Sequence, residues 1–446
     1  VIVDSVLTNA KAYIDNELKN CSIAIDNAKI FKVSTETHMP KSDEKINLKN
    51  FLVFPGLIDS HVHLRDEEKS YKEDFYTGTA AAAAGGFTTV LDMPNNRPTT
   101  LTVELLRNRM NLAQNRILVN VGFYSEFPND LGEVPQIIRQ GAVAFKLFMA
   151  HQIGGLNIDN DGLIKEALMK IKDLDSILAV HAEDKDLLMK NEQKLKNQNR
   201  ADLNAFFQAH SEEVENIAIE RMLKLNKEIG AHIHFCHLTT KIGLDQIIEA
   251  KKSGLRITCE VTPNHLFLTQ NDSNYYGSLI IMMPPLRSKI NVAALMKAIK
   301  SNQVDTLGSD HAPHTKKEKI GINVWDVKVG LPGLETTLPL LLTMVNEHQI
   351  SIGDIVRLLS ENPAKIFKLS NIGYIKKGKN ADLTVIDLKK KYKIDVSKFH
   401  SKAKFSPYNG WEVKGKPVKT FVNGSLIMDE QKIIAKMGSG SILRRN

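Results

Sequence analysis

The stretch 53-VFPGLIDSHVHLRD-66, followed by KEDFYTGTAAAAAGGFTTVLDM over residues 72–93, decides the fold. Residues 53–63 are an apolar run that ends in polar groups. Residues 72–84 form a helix-favouring segment stopped by Gly85 and Gly86, and residues 87–93 are short and β-branched. That order is one βαβ unit. Comparable runs recur at residues 117–124, 142–149, 177–181, 232–238, 256–262 and 304–309, and amphipathic segments such as 163–172 and 212–229 fill most of the gaps. About eight strands alternating with helices make an α/β chain, a (β/α)₈ TIM-like barrel. Residues 1–50 and 381–434 differ in texture, with short alternating strands broken at Asn-Glu, Asp-Asn and Asn-Gly turns. They predict a small composite β-sandwich built from both chain ends. The expected division is 1–50 and 371–446 for the sandwich and 51–370 for the barrel.

A chain of 446 residues with 42% hydrophobic content can bury a large core. It shows no apolar window of the ~20 residues that span a bilayer, and its start lacks a basic segment followed by a long apolar one, so a soluble cytoplasmic enzyme is expected. Cys21, Cys236 and Cys259 are too dispersed for a disulfide framework or a thiolate zinc site. The formal charge of +8 is scattered, with short lysine runs beside turn signals, and it predicts solvated faces rather than a nucleic-acid footprint. It also suits an anionic small-molecule substrate.

The chemistry gathers at strand ends, where a barrel places its active site. His61 and His63 lie two apart on a strand and point to one face. Such a pair is more often structural than metal-binding, and the other strand ends change that reading: Lys146 in AFKLF, His181 in AVHAED, His237 in HFCHL and Asp310 in GSDHAPH. Lysine is no ordinary ligand, since its ammonium only donates. Carboxylation of Lys146 by carbon dioxide would supply two anionic oxygens, and an ion pair with Asp310 is the other option the bare sequence leaves open. Arg65, two beyond His63, faces the same mouth, and its planar fork suits a carboxylate.

These motifs, with DMPNN, PPLR, SDHAPHT followed by EK, GLPGLET and the closing ENPAKIF and KKGKNADLTVIDL, resemble the dihydroorotases of the amidohydrolase superfamily over nearly the whole chain. The resemblance implies two Zn²⁺ ions per chain. His61, His63 and Asp310 would hold one, His181 and His237 the other, with N6-carboxylated Lys146 and a hydroxide between them and Asp310 moving the proton. It also implies that Arg65, Asn95 and His314 hold the substrate carboxylate, with Arg287 a further candidate and the Gly330 backbone facing the ring. Asn95 as a plain turn residue and His314 as a helix-start polar group are the simpler readings of those positions. Met283 before PPLR and Asn264 in TPNHL depart from the family pattern, which bears on substrate detail and not on the ligands. The implied reaction is reversible cyclisation of N-carbamoyl-L-aspartate to L-dihydroorotate in pyrimidine biosynthesis. A hydantoinase or allantoinase would use the same metals, and a silent scaffold homologue would be expected to lose ligands. One sequence leaves open a homo-oligomer or a partner enzyme of the pathway.

Overall fold

The computed structural model describes residues 2–445; Val1 and Asn446, the outer limits of the expected sandwich segments, lie outside the described residues. Eight parallel strands form one sheet in simple chain order: Leu57–Val62, Phe87–Asp92, Asn120–Ser125, Ala144–Phe148, Ile177–His181, His232–Phe235, Ile257–Val261 and Thr306–Leu307. The eighth strand is two residues long, and the ring closes just beyond it. Val62 bridges His311, and the His63 N–H donates to the His311 carbonyl at 2.8 Å. Closure therefore draws the first strand's HVH segment against the segment that carries Asp310.

The opening run is not one strand. Leu52–Pro55 leaves the barrel and pairs with Ile2–Ile14 on one side and Leu383–Lys393 on the other, and Leu57–Val62 alone enters the barrel. Gly56 marks the break because the backbone passes too close to its neighbours for a side chain. A Cβ there would stand 2.3 Å from Thr88 Oγ1 and 2.7 Å from Asp382 Cβ. Residues 52–55 thus join the two chain ends into one nine-stranded sheet, where the sequence pattern placed them at the start of the barrel. Leu7, Ile23, Ile25, Val53, Leu383, Val385 and Phe421 pack together as its core. The chain then returns to the barrel, with Val121 bridging Ile442.

Helix Phe75–Ala84 shows how composition serves this layout. Asp74 caps it, accepting from the Thr77 N–H at 2.8 Å, while Thr77 Oγ1 accepts from the Asp74 N–H at 3.2 Å. Its five consecutive alanines are all buried, because the helix lies between the barrel and the terminal sheet, where Thr420 Oγ1 donates to the Ala83 carbonyl. Small side chains permit that approach on every face. Among the described residues no helix is long and apolar enough to cross a membrane.

Candidate active site

At the C-terminal rim of the barrel a cavity of about 560 Å³ is lined by His61, His63, Arg65, Asn95, His181, His237, Asp310, His314 and Gly330, among others. Nine of the eleven residues singled out from sequence meet there. A tenth, Lys146, is fully buried on the fourth strand beside them, with Nζ 5.0 Å from the Phe148 ring centroid.

Four imidazoles crowd the floor. Ring centroids lie 5.4 Å apart for His61 and His63, 5.2 Å for His61 and His237, and 4.7 Å for His181 and His237. Outer partners determine which nitrogen of three of these rings faces inward. His61 Nδ1 meets Glu260 Oε1 at 2.7 Å, His63 Nδ1 meets Asn95 Oδ1 at 2.7 Å, and His181 Nε2 meets Glu183 Oε2 at 2.7 Å. Each acceptor takes the ring's one N–H, so a lone pair is left on His61 Nε2, His63 Nε2 and His181 Nδ1. Those atoms converge. His61 Nε2 and His63 Nε2 lie 3.4 and 3.2 Å from Asp310 Oδ1, and His181 Nδ1 lies 3.1 Å from His237 Nε2. Burial, with Arg65 adding to it for His63, holds the rings of His63 and His237 well below the usual histidine range, and burial lowers His61 as well. Burial also raises Asp310. Arg65, His237 and Asp310 all adopt positive φ, at 57°, 35° and 46°, a conformation that non-glycine residues hold only where their surroundings enforce it.

The walls are cationic. Arg65, Lys69, Lys72, Arg97 and Lys328 face the cavity, against the carboxylates of Glu68, Asp310 and Glu318. Arg65 is buried, and its guanidinium has no carboxylate within ion-pairing distance among the described residues. Its Nε reaches the Pro313 carbonyl and its Nη2 reaches His314 Nε2, both at a long 3.4 Å. Burial lowers it to about 10.

The amidohydrolase family pattern matches residues 52–427, which takes in every one of these positions. The chain belongs to the amidohydrolase family. Among its amidohydrolase relatives, the dihydroorotase of Methanothermobacter thermautotrophicus is 37% identical over 437 residues, covering 95% of this chain and 96% of that one. The dihydroorotase of Pyrococcus horikoshii is 38% identical over 419 residues, covering 93% and 90%. Among solved structures, the L-hydantoinase (dihydropyrimidinase) of Arthrobacter aurescens superposes with a TM-score of 0.95 at 30% identity, covering 99% of this chain and 100% of that one.

An amidohydrolase of this kind carries a metal cofactor, and the residues present fit one. His61, His63 and Asp310 offer ligand atoms that all lie within 4.8 Å of one another. Two further polar atoms on the floor, Lys146 Nζ and His237 Nδ1, are buried without a hydrogen-bond partner, a costly state for an isolated protein atom. A second grouping, His61 with Cys236 and Glu260, fits less well. Glu260 is committed to Ser60 and His61, and burial pushes the Cys236 thiol up to about 12, far from a thiolate.

One expectation of this amidohydrolase is corrected. Arg287 does not reach the cavity. It is buried, with Nε donating to Thr239 Oγ1 at 2.8 Å, Nη1 to the His210 carbonyl and Nη2 to Glu215 at 3.2 Å, so its fork is already filled from within the chain. Gly330 lines the cavity at φ 133°, but its N–H donates to the Ile281 carbonyl at 3.0 Å, which leaves the carbonyl alone to face a ligand. Of the two departures from the family pattern, Met283 lines the cavity and Asn264 does not; Asn264 Oδ1 accepts from Tyr408 at 3.0 Å. Sequence reasoning missed Glu183 and Glu260. The available signal was an acid in or beside a barrel strand, in HAED and TCEV.

Proposed function

We propose that the chain is a dihydroorotase, a cyclic amide hydrolase that interconverts N-carbamoyl-L-aspartate and L-dihydroorotate in pyrimidine biosynthesis. The single observation that carries the substrate reading is Arg65: a buried guanidinium without an acid partner, at the mouth of a metal-binding cluster. A substrate carboxylate supplies the missing partner, and dihydroorotate has one where hydantoin and allantoin have none. Relatives named dihydroorotase that match nearly the full chain support the same reading.

His61, His63 and Asp310 would hold one zinc ion and His181 and His237 a second. Lys146 would bridge them after its neutral Nζ adds carbon dioxide, forming an N–C bond and releasing a proton. The bound metals supply Lewis acidity that polarises the scissile carbonyl and lowers the pKa of water. Glu260, Asn95 and Glu183 keep three imidazoles turned with their lone pairs inward, where they would hold the metals. Arg65 grips the ring carboxylate bidentately, Asn95 presents its amide NH₂ beside it, and His314 offers a ring N–H that it shares with the Val329 carbonyl. Asp310 accepts a proton as water adds across the amide and passes it to the departing ring nitrogen, and the direction reverses on cyclisation.

The test is turnover of the metal-loaded enzyme on dihydroorotate beside hydantoin and allantoin, with the equilibrium followed against pH. N-carbamoylaspartate carries one more negative charge than dihydroorotate, so ring closure consumes a proton and the ring gains about tenfold for each unit of falling pH between about 6 and 8, where the carboxylates stay ionised. Hydantoin or allantoin as the preferred substrate, or a pH-independent equilibrium, would contradict the assignment.

A further inference from the structure

We infer that Lys72, held by Glu318, is a positioning residue that fixes His314 as the neutral Nε2–H tautomer, so that a carboxylate on Arg65 meets an N–H that is shared with the Val329 carbonyl and not a lone pair. The inference rests on the proposed role of His314 at the substrate carboxylate. The geometry around the ring carries it.

Lys72 Nζ lies 2.8 Å from Glu318 Oε1 and 3.0 Å from His314 Nδ1. An ammonium paired with a carboxylate only donates, so His314 Nδ1 must be the acceptor. Its proton then sits on Nε2. That nitrogen lies 2.8 Å from the Val329 carbonyl, a contact that requires an N–H, and the two short contacts agree on one tautomer. The opposite tautomer satisfies at best the 3.4 Å approach of Arg65 Nη2 and sets two N–H groups against each other at Lys72. A doubly protonated ring fares no better. Glu318 Oε2 is 3.8 Å from Nδ1, too far for a hydrogen bond.

The surrounding charges point the same way. Arg65, Lys72 and Lys319 face the ring, with Lys69 and Lys328 on the same cavity wall; among the described residues Glu318 is the acid within 4 Å, and it is already engaged by Lys72, Tyr71 and Thr315. Burial and then these cations hold His314 far below the usual histidine range. The Val329 carbonyl is itself anchored, because Lys319 Nζ donates to the carbonyls of Ile281 and Lys328 and the Gly330 N–H also donates to Ile281. The ring is thus held at both nitrogens by groups of the cavity wall.

Two measurements on the metal-loaded enzyme test this. In ¹⁵N-histidine NMR, with His314 assigned by loss of its signal in His314→Gln, the wild type should show an unprotonated Nδ1 and a protonated Nε2, unchanged from pH 6 to 8. In Lys72→Met the Nδ1-protonated tautomer should become populated beside the Nε2-protonated one. In kinetics, Lys72→Met should raise KM for dihydroorotate about tenfold with kcat changed less than about threefold, the size expected for one misdirected polar contact. Lys72→Arg, which keeps a donor at Nδ1, should restore the wild-type values. Glu318→Gln should shift both readouts in the same direction by less, and it serves if Lys72→Met folds poorly. A wild-type ring protonated at Nδ1, or a ring unaltered in both variants, overturns the inference. A ring that responds as expected while KM stays constant would uphold the positioning and overturn the substrate role of His314.

Discussion

Arg65 and Arg287 are both buried arginines near the rim of one barrel, and they stand in opposite chemical states. Around Arg287 the protein has supplied a carboxylate, a hydroxyl and a carbonyl, and the charge is closed off. Around Arg65 it has supplied two long contacts, further cations and four carboxylates, Asp310, Asp92, Glu318 and Glu73, none of them within ion-pairing distance. Removing a guanidinium from water costs several kcal/mol, so a fold keeps one without an internal acid only where something outside it provides the acid. Two buried lysines repeat the contrast. Lys319 donates to two carbonyls, while Lys146 Nζ has no partner. Incomplete pairing marks where a ligand or a modification belongs, and complete pairing marks structure.

The strongest test of that contrast falls on Lys146. Lys146→Ala should cut bound metal from about two ions per chain to one or none and lower turnover by at least about a thousandfold, since a carbamate bridge would be lost with the side chain. Short carboxylic acids added to the variant should restore part of the activity; undiminished metal content would remove Lys146 from the metal site. Asp310→Asn should likewise depress hydrolysis and cyclisation together by orders of magnitude at full metal occupancy. Loss in one direction only would assign the proton to another group.

Next in size is Arg287→Met, which strands the buried carboxylate of Glu215. Stability should fall by about 3–5 kcal/mol in denaturant unfolding, and the ratio of kcat/KM for dihydroorotate over hydantoin should stay as in the wild type. A changed ratio at unchanged stability would place Arg287 at the substrate and undo the comparison. Smaller again is the effect of Asp382, a buried carboxyl that among the described residues accepts from the neutral Asn423 N–H and Asn120 Nδ2, at 2.7 and 3.1 Å. Burial raises it from the ordinary 3.8 to about 7. A raised acid contributes stability in full below its unfolded value, and that contribution is lost as pH climbs from about 4 through 7. Unfolding free energy of the wild type should therefore drop by on the order of 2 kcal/mol more than that of Asp382→Asn between pH 4.5 and 7.5. Parallel profiles for the two proteins would show that Asp382 titrates normally.

The barrel was legible because its strands are short, apolar and separated by helical periodicity, and the cluster because strand ends carry its ligands. Less was legible wherever a decision depends on a partner far away in sequence. Gly56 splits one apolar run between two sheets because of Thr88 and Asp382, and neither contact leaves a local trace. Arg287 reads as a free fork in PPLR until Glu215 and Thr239 are brought to it. Glu260 orients His61 across 199 positions, and TCEV alone gives only an acid where an apolar residue was expected.

Arg65→Met tests the central claim most directly, through kcat/KM for dihydroorotate and for unsubstituted hydantoin measured in parallel with unfolding. Because no carboxylate among the described residues is ion-paired to Arg65, and Asp310, Asp92, Glu318 and Glu73 act on it only from farther away, the variant should be about as stable as the wild type. Its kcat/KM for dihydroorotate should fall by a factor of about a hundred or more, while any trace activity on the neutral ring holds or rises slightly. A variant that keeps the wild-type preference for dihydroorotate, or a wild type that hydrolyses hydantoin equally well, would contradict the assignment of Arg65 to the substrate carboxylate.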